Sequence, residues 1–366
     1  MNSCRNLIPL AALLLLFFGT DLQLHAQSSG DEPVVVTPNR NTVSELRVRG
    51  RIQNQYAFAT GSNSNAAMDA EDYSSFEMRR IRLGVQGKLY NDWDFLVEMN
   101  TLASVGLDAA TLTYTGFSGA NITIGKAKTF FGSEQMVSSA SILTFERTRL
   151  DAHMNGGKPI GLRVHDSRDL FTYYLGVYNG QNTGTGRMGA DSDSYILNAS
   201  GGVKLGNFIG DGVQADLRAD YMHSTDAGGY YQFENAYAFS GHFEVSGVDL
   251  RTEFMSGNRF NEDNLSGFYV LPAYYIVPGS LQAVARYEQV SGDAGVSIGH
   301  NRYADRVPNL YSAGNDYSAI YAGLNYYVEG HNLKFMLGAE LAENSGGTAN
   351  QSGKVTTIFA GMRMQF

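Results

Sequence analysis

Apolar and polar side chains alternate along much of this chain, with the two-residue period of a β-strand. The C-terminal stretch, residues 356–366, shows this most clearly. Five apolar side chains share one parity there: Ile358, Ala360, Met362, Met364 and Phe366. Polar residues and glycine take the other parity, with Phe359 as the one exception. A strand with one apolar face that ends on an aromatic residue suits a chain whose outer face meets lipid.

The same alternation predicts about sixteen strands and no helical domain between them. They are 44–58, 73–89, 93–102, 107–115, 120–128, 158–166, 169–178, 193–205, 213–223, 234–245, 248–257, 265–276, 280–290, 316–328, 332–342 and 354–366. An even number is what bacterial barrels have when both chain ends lie on one side of the membrane. We therefore predict an all-β fold, a transmembrane antiparallel β-barrel over residues 44–366.

The connections between these strands alternate between long and short. The stretch 129–157 is long, for example, whereas the turn 90–92 is short, and the pattern repeats along the chain. Long loops on one rim and short turns on the other are typical of an outer-membrane barrel. Only the connection 103–106 is shorter than this pattern requires.

The N-terminus has the features of a secretory signal peptide over residues 1–26. Arg5 gives it a positive start, an apolar stretch follows, and Ala26 ends a candidate cleavage site. An N-terminal anchor helix is the alternative. We interpret residues 27–43 as a polar periplasmic lead-in. Cys4, the only cysteine, lies in the predicted signal, so we expect no disulfide in the mature protein.

Composition and motifs argue against several classes of protein. The chain has 42 glycines, 22 tyrosines and 20 phenylalanines but only 7 prolines, and its net charge of −9 argues against a nucleic-acid partner. No Gly-x-Ser-x-Gly, His-Glu-x-x-His, Walker or dinucleotide motif occurs, so we predict no catalytic residue, cofactor or metal. A transporter with a plug and about twenty-two strands would need a longer chain.

Basic residues occupy the polar faces of the first two predicted strands: Arg47, Arg49, Arg51, Arg80, Arg82 and Lys88. A lysine or arginine facing lipid at mid-membrane costs about 2–4 kcal/mol, so these faces are expected to line the lumen. Guanidinium groups match the oxygens of phosphate and carboxylate solutes. Carboxylates such as Glu98 and Glu340 share lumen faces elsewhere. Ion-pair networks that stiffen the wall are therefore the alternative.

The long connection 129–157 contains too many apolar residues for a loop exposed to water. A structured loop packed inside the barrel would explain them, with Ser138 or Ser139 capping a short helix that runs to about Arg149. Arg147 and Arg149 lie near Glu134 and Glu146 in this loop. Opposite charges across a constriction select among solutes. A surface loop that makes trimer contacts is the alternative.

Three segments, 76–100, 107–117 and 122–148, resemble the phosphate-selective porin O/P family. The most specific parts are Arg79-Arg80-x-Arg82-x-Gly84, the turn Asn91-Asp92-Trp93, and the run from Phe131-Gly132 to Thr144-Phe145-Glu146-Arg147. The resemblance implies a sixteen-stranded homotrimeric channel whose third extracellular loop narrows the lumen. It assigns Phe131, Gly132, Glu134 and Glu146 to that constriction, and Phe366 to the signal read by the outer-membrane assembly machinery.

Together these observations predict a passive diffusion channel in the outer membrane of a Gram-negative bacterium, surrounded by lipid. Its expected solutes are small and hydrophilic, with anions, phosphate among them, as candidates. The alternative is a barrel with a mainly structural or adhesive role, in which the long extracellular loops matter more than the lumen.

Overall fold

Sixteen antiparallel strands close into a single barrel in the computed structural model. The structure describes residues 43–64, 70–102, 105–180, 194–225, 231–312, 314–346 and 351–366. The strands are β1 (Val43–Ser64), β2 (Tyr73–Leu89), β3 (Trp93–Asn100), β4 (Gly106–Phe117), β5 (Ala120–Lys126), β6 (Ile160–Ser167), β7 (Phe171–Asn179), β8 (Tyr195–Lys204), β9 (Gln214–Ser224), β10 (Phe233–Val245), β11 (Val248–Arg259), β12 (Asn264–Val277), β13 (Leu281–Gly292), β14 (Asp316–Glu329), β15 (Leu333–Gly346) and β16 (Gln351–Gln365). This confirms the predicted fold class. The predicted signal peptide, and the lead-in up to residue 42, lie outside the described residues.

The helices among the described residues are short and lie in the connections. They are α1 (Ser133–Met136), α2 (Arg149–Met154), α3 (Gly206–Ile209) and a 3₁₀ turn at Ala304–Arg306. Within the described part of the chain, no helix has both the length and the apolar character needed to cross a membrane.

The barrel closes where the last strand meets the first. Gly50 and Phe366 exchange backbone hydrogen bonds, with N···O distances of 2.8 and 3.1 Å. The Phe366 ring lies over Gly50 on the outer face, so that a Cβ at residue 50 would come within 2.2 Å of Phe366 Cζ. A larger residue at position 50 would therefore displace the terminal ring from this place against the wall. Closure gives every strand two neighbours, as lipid requires.

Alternation sorts the side chains as the sequence predicts. In β1, Arg51, Gln53 and Gln55 are buried towards the lumen, whereas Val48 and Tyr56 are exposed on the outer face. Phe366 is 55% exposed on that same face. Because the outer face is apolar and the inner face polar, the wall has the two-sided character of a membrane barrel.

A β-bulge in β2 interrupts the alternation of inward and outward side chains at Arg79. Gln53 pairs with Arg80 and Asn54 with Met78, so Arg79 is the extra residue. Arg79 and Arg80 both reach into the lumen as a result, since Arg79 bonds a loop carboxylate and Arg80 bonds Gln53. Strict alternation would have placed Arg79 against lipid.

The connections follow the predicted asymmetry. The turns 90–92, 118–119, 168–170, 205–213, 246–247, 278–280 and 330–332 lie on one rim, here called the turn rim. The loops on the other rim, the loop rim, are 127–159, 260–263 and the described parts of 65–72, 101–105, 180–194, 225–232 and 293–315. The connection 101–105 is short in the structure as well.

The helix predicted from Ser138 or Ser139 to Arg149 is wrong. Residues 138–148 form no helix, and α2 begins only at Arg149, where the Thr148 side chain accepts a hydrogen bond from the Asp151 N–H at 3.0 Å. The reason is tertiary, because the wall takes the carbonyl groups of residues 142–146 that a helix would have bonded internally.

Candidate functional site

Loop 127–159 lies inside the barrel, and side chains of β13–β16 hold its carbonyl groups. Arg363 donates to the carbonyl oxygens of Ile142, Thr144 and Phe145 at 3.1, 3.0 and 2.6 Å. Three further side chains complete the set: Lys334 to Ile142 at 2.8 Å, Asn325 to Leu143 at 2.9 Å and Arg286 to Glu146 at 2.8 Å. The backbone of residues 142–146 is therefore fixed by hydrogen bonds to the wall formed by β13–β16.

Wall carboxylates hold the backbone N–H groups of the same loop. Three pairs do this: Asp220 accepts from Gly132 at 3.0 Å, Glu253 from Ser133 at 2.5 Å and Glu288 from Arg149 at 2.8 Å. Gly132 has φ of +81°, a conformation that favours glycine, so the chain turns there to present these groups. Glu134 accepts from the Thr148 N–H and hydroxyl within the loop, both at 2.8 Å, and pairs with Arg286 of β13 at 3.6 Å.

Glu146 is bound by the arginine of the bulge. Arg79 forms two hydrogen bonds to its carboxylate, at 2.7 and 2.9 Å. Burial alone would raise the pKa of Glu146, but the arginines around it, Arg79 above all, lower the pKa to about 2. The carboxylate therefore stays ionised and paired. Beside it, Phe145 stacks on Phe359 with ring centroids 5.1 Å apart, which explains why residue 359 breaks the parity of the last strand.

A cavity of about 390 Å³ remains between the loop and the wall formed by β1–β6. Eight cationic side chains line it: Arg49, Arg51, Arg80, Arg82, Lys128, Arg147, Lys158 and Arg163. Among the described residues that line it, Glu98 is the only acidic one. Nearby, Asp108 pairs with Arg82 at 2.9 Å and also with Lys158. The cavity thus carries a large excess of positive charge.

The cations of this cavity differ in their partners. Arg49 and Arg82 each pair with Glu98 at 3.3 Å. Arg51 instead donates to the hydroxyl groups of Ser139 and Ser138, at 2.7 and 3.0 Å. Similarly, Arg80 donates to the amide oxygen of Gln53 at 3.0 Å. These acceptors are neutral, so they do not offset the positive charges of Arg51 and Arg80, and the same holds for Arg163, which donates to the Lys128 carbonyl oxygen at 3.0 Å.

Lys128 contributes a cation whose charge depends on pH. Its Nζ donates to the carbonyl oxygens of Gln135 and Val137, at 2.5 and 3.1 Å. Burial, followed by the neighbouring cations Arg147, Lys158 and Arg51, lowers the pKa of Lys128 to about 7. The lysine therefore loses its proton within the neutral range.

The structure separates the cations that the sequence grouped together. Arg49, Arg51, Arg80, Arg82 and Arg147 line the cavity. The other three lie elsewhere. Arg47 pairs with Glu45, and Lys88 pairs with Asp94 at 2.7 Å near the turn rim. The Arg149 guanidinium lies 3.2 Å from His153 on the other side of the loop.

Phe131 does not line the cavity either. It is fully buried and packs against Tyr231, with ring centroids 6.4 Å apart. With Gly132 and Glu134 it belongs to the part of the loop that is fixed to the wall. That Phe131, Gly132, Glu134 and Glu146 narrow the pore stays a prediction.

Sequence reasoning missed several residues of the site: Arg79, Lys128, Lys158, Arg163 and Arg363. Arg163 and Arg363 lie on lumen faces of their strands, so alternation was a signal for both. Arg79 carried no such signal, because a bulge decides its direction. Lys128 and Lys158 end and begin the predicted strands 120–128 and 158–166, but the structure ends β5 at Lys126 and begins β6 at Ile160, so both lysines belong to the loop.

A closed sixteen-stranded barrel with a loop folded into its lumen has the architecture of an outer-membrane porin. The chain belongs to the phosphate-selective porin O and P family, whose model matches residues 46–283. It is therefore a barrel of the Gram-negative outer membrane. Porin O of Pseudomonas aeruginosa is 31% identical over 111 residues, which cover 28% of this chain and 24% of that protein. The match thus spans about a quarter of the relative's length.

Solved structures share the fold at low sequence identity. An anion-selective porin from Comamonas acidovorans has a TM-score of 0.60 at 12% identity, covering 88% of this chain and 99% of that one. The outer-membrane channel DcaP of Acinetobacter baumannii has a TM-score of 0.56 at 12% identity, covering 88% and 97%. A trimer form of OmpT from Vibrio cholerae has a TM-score of 0.55 at 10% identity, covering 88% and 99%.

Proposed function

We propose that this protein is a passive diffusion porin that prefers small hydrophilic anions. The observation that carries the proposal is the cavity between loop 127–159 and β1–β6, with eight cationic side chains and a single acidic one among its described lining residues. In a narrow, partly desolvated passage such an excess attracts anions and repels cations.

Arg51 and Arg80 are the proposed central contacts for the solute. Their hydrogen-bond partners are neutral, and guanidinium groups bind phosphate and carboxylate oxygens in matching geometry. Arg49, Arg82 and Arg147 add positive charge around them. Phosphate is included among the solutes because the family is described as phosphate-selective. We expect no catalytic activity.

Export and assembly follow from the sequence and from the family. We infer that residues 1–26 are removed as a signal peptide and that residues 27–42 then lie in the periplasm, one residue fewer than predicted because β1 begins at Val43. The terminal strand ending at Phe366 would be recognised by the assembly machinery before the barrel enters lipid. A homotrimer is also inferred, supported by the trimer form of an outer-membrane protein of the same fold. Unheated and heated samples on a denaturing gel test it, and monomer in both lanes would argue against it.

The test of the proposed function is the reversal potential of the refolded protein in a planar bilayer under a potassium chloride gradient. A potential of the sign set by chloride, with block when phosphate is titrated in, is the expected result. A cation-selective conductance would contradict the anion preference. If no conductance appears in a correctly folded barrel, the structural or adhesive role takes its place.

A further inference from the structure

A second loop, 293–315, also enters the lumen, although it was not predicted from the sequence. Tyr303 of loop 293–315 is fully buried between two wall residues. Its hydroxyl donates to Glu77 on β2 at 2.7 Å and accepts from Gln55 on β1 at 2.6 Å. The middle of this loop therefore lies inside the barrel, away from the water at the rim.

Asn301 anchors the same segment to β15 and β16, the next two strands of the wall after β1. Its side-chain nitrogen donates to Glu340 on β15 at 2.7 Å and to Thr357 on β16 at 3.2 Å. Its side-chain oxygen accepts from the N–H groups of Tyr303 and Ala304, at 2.9 and 3.0 Å, which sets the direction of the turn. Residues 300–306 are thus fixed to four strands: β15, β16, β1 and β2.

The two inward loops are packed together. Phe359 lies between Tyr303, with ring centroids 5.9 Å apart, and Phe145 of loop 127–159, at 5.1 Å. Gln55 donates both to Glu146 at 3.0 Å and to the Tyr303 hydroxyl. Apolar residues of both loops also form one buried cluster: Leu150 and Met154 with Val296, Ile298, Ala304 and Val307. Loop 293–315 therefore covers loop 127–159 from the loop rim.

Glu77 of β2 holds residues 300–306 to the wall through three contacts, and we call it the tether of this segment. It pairs with Arg302 at 3.2 Å and with Arg306 at 3.1 Å, and it accepts the Tyr303 hydroxyl as well. The two arginine side chains are only 34% and 38% exposed, so each has one flank against the wall and one towards the mouth. Three contacts from one short segment converge on a single carboxylate of β2.

We propose that residues 300–306 form a second constriction, on the loop-rim side of the pore, which Glu77 holds in place and which sets the size limit for solutes arriving from outside. The inference rests on the proposed channel function. A charge-paired segment that is fixed to four adjoining strands and projects into the lumen obstructs passage sterically, whereas the cationic cavity selects by charge. The two filters would act in series.

The experiment compares refolded wild type with two variants in planar bilayers. Glu77→Ala removes the tether, and Arg302→Gln combined with Arg306→Gln removes its partners from the loop side. For each we expect single-channel conductance to rise about twofold or more, because the mouth widens. Neutral polyethylene glycols of graded size, added on the loop-rim side, should enter at larger sizes than in wild type. Glu343→Gln, which breaks an exposed pair with Lys354 at 3.4 Å on the outer face, is the matched control and should behave as wild type.

Heat-modifiable mobility on a gel shows whether each variant is folded. Conductance and polymer size limits equal to wild type in a folded variant pair would overturn the second constriction. If Glu77→Ala does not fold, the double variant decides, since it changes only the loop. A wild-type barrel that passes no current would overturn the proposed channel function, whereas a conducting wild type with unchanged variants overturns this inference alone.

Discussion

Loop 127–159 has two sides, and the charges that face them act differently. Towards β13–β16 the cations Arg286, Lys334 and Arg363 are almost completely buried and bond loop carbonyl groups. Towards β1–β6, Arg51 and Arg80 border a cavity and bond only neutral side chains. Both sets lie on lumen faces of the wall. The role of a lumen arginine is therefore determined by its hydrogen-bond partners, not by its position on the lumen face.

The difference has an energetic basis. A buried cation is costly unless hydrogen bonds replace its hydration, and a buried carbonyl is costly without a donor. On the side of β13–β16 each group satisfies the other, so removing one leaves its partner unsatisfied. On the side of β1–β6 the cavity remains open to a solute, so removing a cation changes what the cavity attracts. Stability should depend on the first set and selectivity on the second.

The largest effect is expected from Arg363→Met, which keeps the length of the side chain and removes every donor. Three carbonyl oxygens lose a charged partner, which should cost about 3 kcal/mol or more in the free energy of unfolding. The urea concentration at which the folded band disappears on an unheated gel measures this. Lys354→Met is the matched control, on the same strand but 65% exposed. Equal midpoints for the two variants would show that Arg363 does not hold the loop.

A smaller but more specific effect is expected from Arg51→Gln combined with Arg80→Gln. Removing two positive charges from the cavity should lower the chloride-over-potassium preference about thirtyfold, since each charge contributes on the order of 1 kcal/mol at a few ångströms in a wet passage and about 1.4 kcal/mol is a factor of ten. Unfolding midpoints should change little. The reversal potential measures the preference. An unchanged potential in this folded variant would remove these two residues from the anion pathway.

The strands of this barrel were predictable from the sequence because lipid and lumen impose opposite polarities on successive residues. The whole terminal strand, including its odd Phe359, followed this rule once the loop ring of Phe145 is taken into account. Rows of arginine on β1 and β2 were also recognisable as a lumen face. In each case a local pattern was sufficient, because every residue of a strand has a fixed direction.

The loops were much less predictable. The carbonyl groups of residues 142–146 are bonded by strands about two hundred residues away, so local helix signals at Ser138 gave the wrong answer. The bulge at Arg79 depends on pairing with β1. Loop 293–315 does contain buried apolar residues, such as Val296 and Ile298, and the same criterion that identified loop 127–159 would have identified it.

The third effect depends on pH and sharpens the role of the cavity. The pKa of Lys128 is lowered to about 7, so the lysine is charged below that pH and neutral above it. The chloride preference should therefore fall as the pH rises from about 6 to about 8, by roughly the contribution of one charge. Chloride is the suitable probe because phosphate itself titrates in this range.

Two variants separate Lys128 from the nearby Asp151, whose pKa burial raises to about 7. Ionisation of Asp151 would change the preference in the same direction. Lys128→Met should flatten the pH dependence and Asp151→Asn should leave most of it. If only Asp151→Asn flattens the pH dependence of the chloride preference, the titrating group is Asp151 and not Lys128.

The smallest effect is expected from Lys88→Gln. This variant tests whether a lumen-facing cation far from loop 127–159 contributes to the chloride preference. Lys88 has the same parity as Arg80 and Arg82 but lies near the turn rim, where it pairs with Asp94 and both side chains are nearly half exposed. An exposed pair contributes about 0–1 kcal/mol and is screened by salt, so the chloride preference should change less than twofold. A change as large as that of the Arg51 and Arg80 variant would mean that anions follow the whole basic row of β1 and β2. A small change would mean that they are selected only where loop 127–159 narrows the lumen around uncompensated arginines.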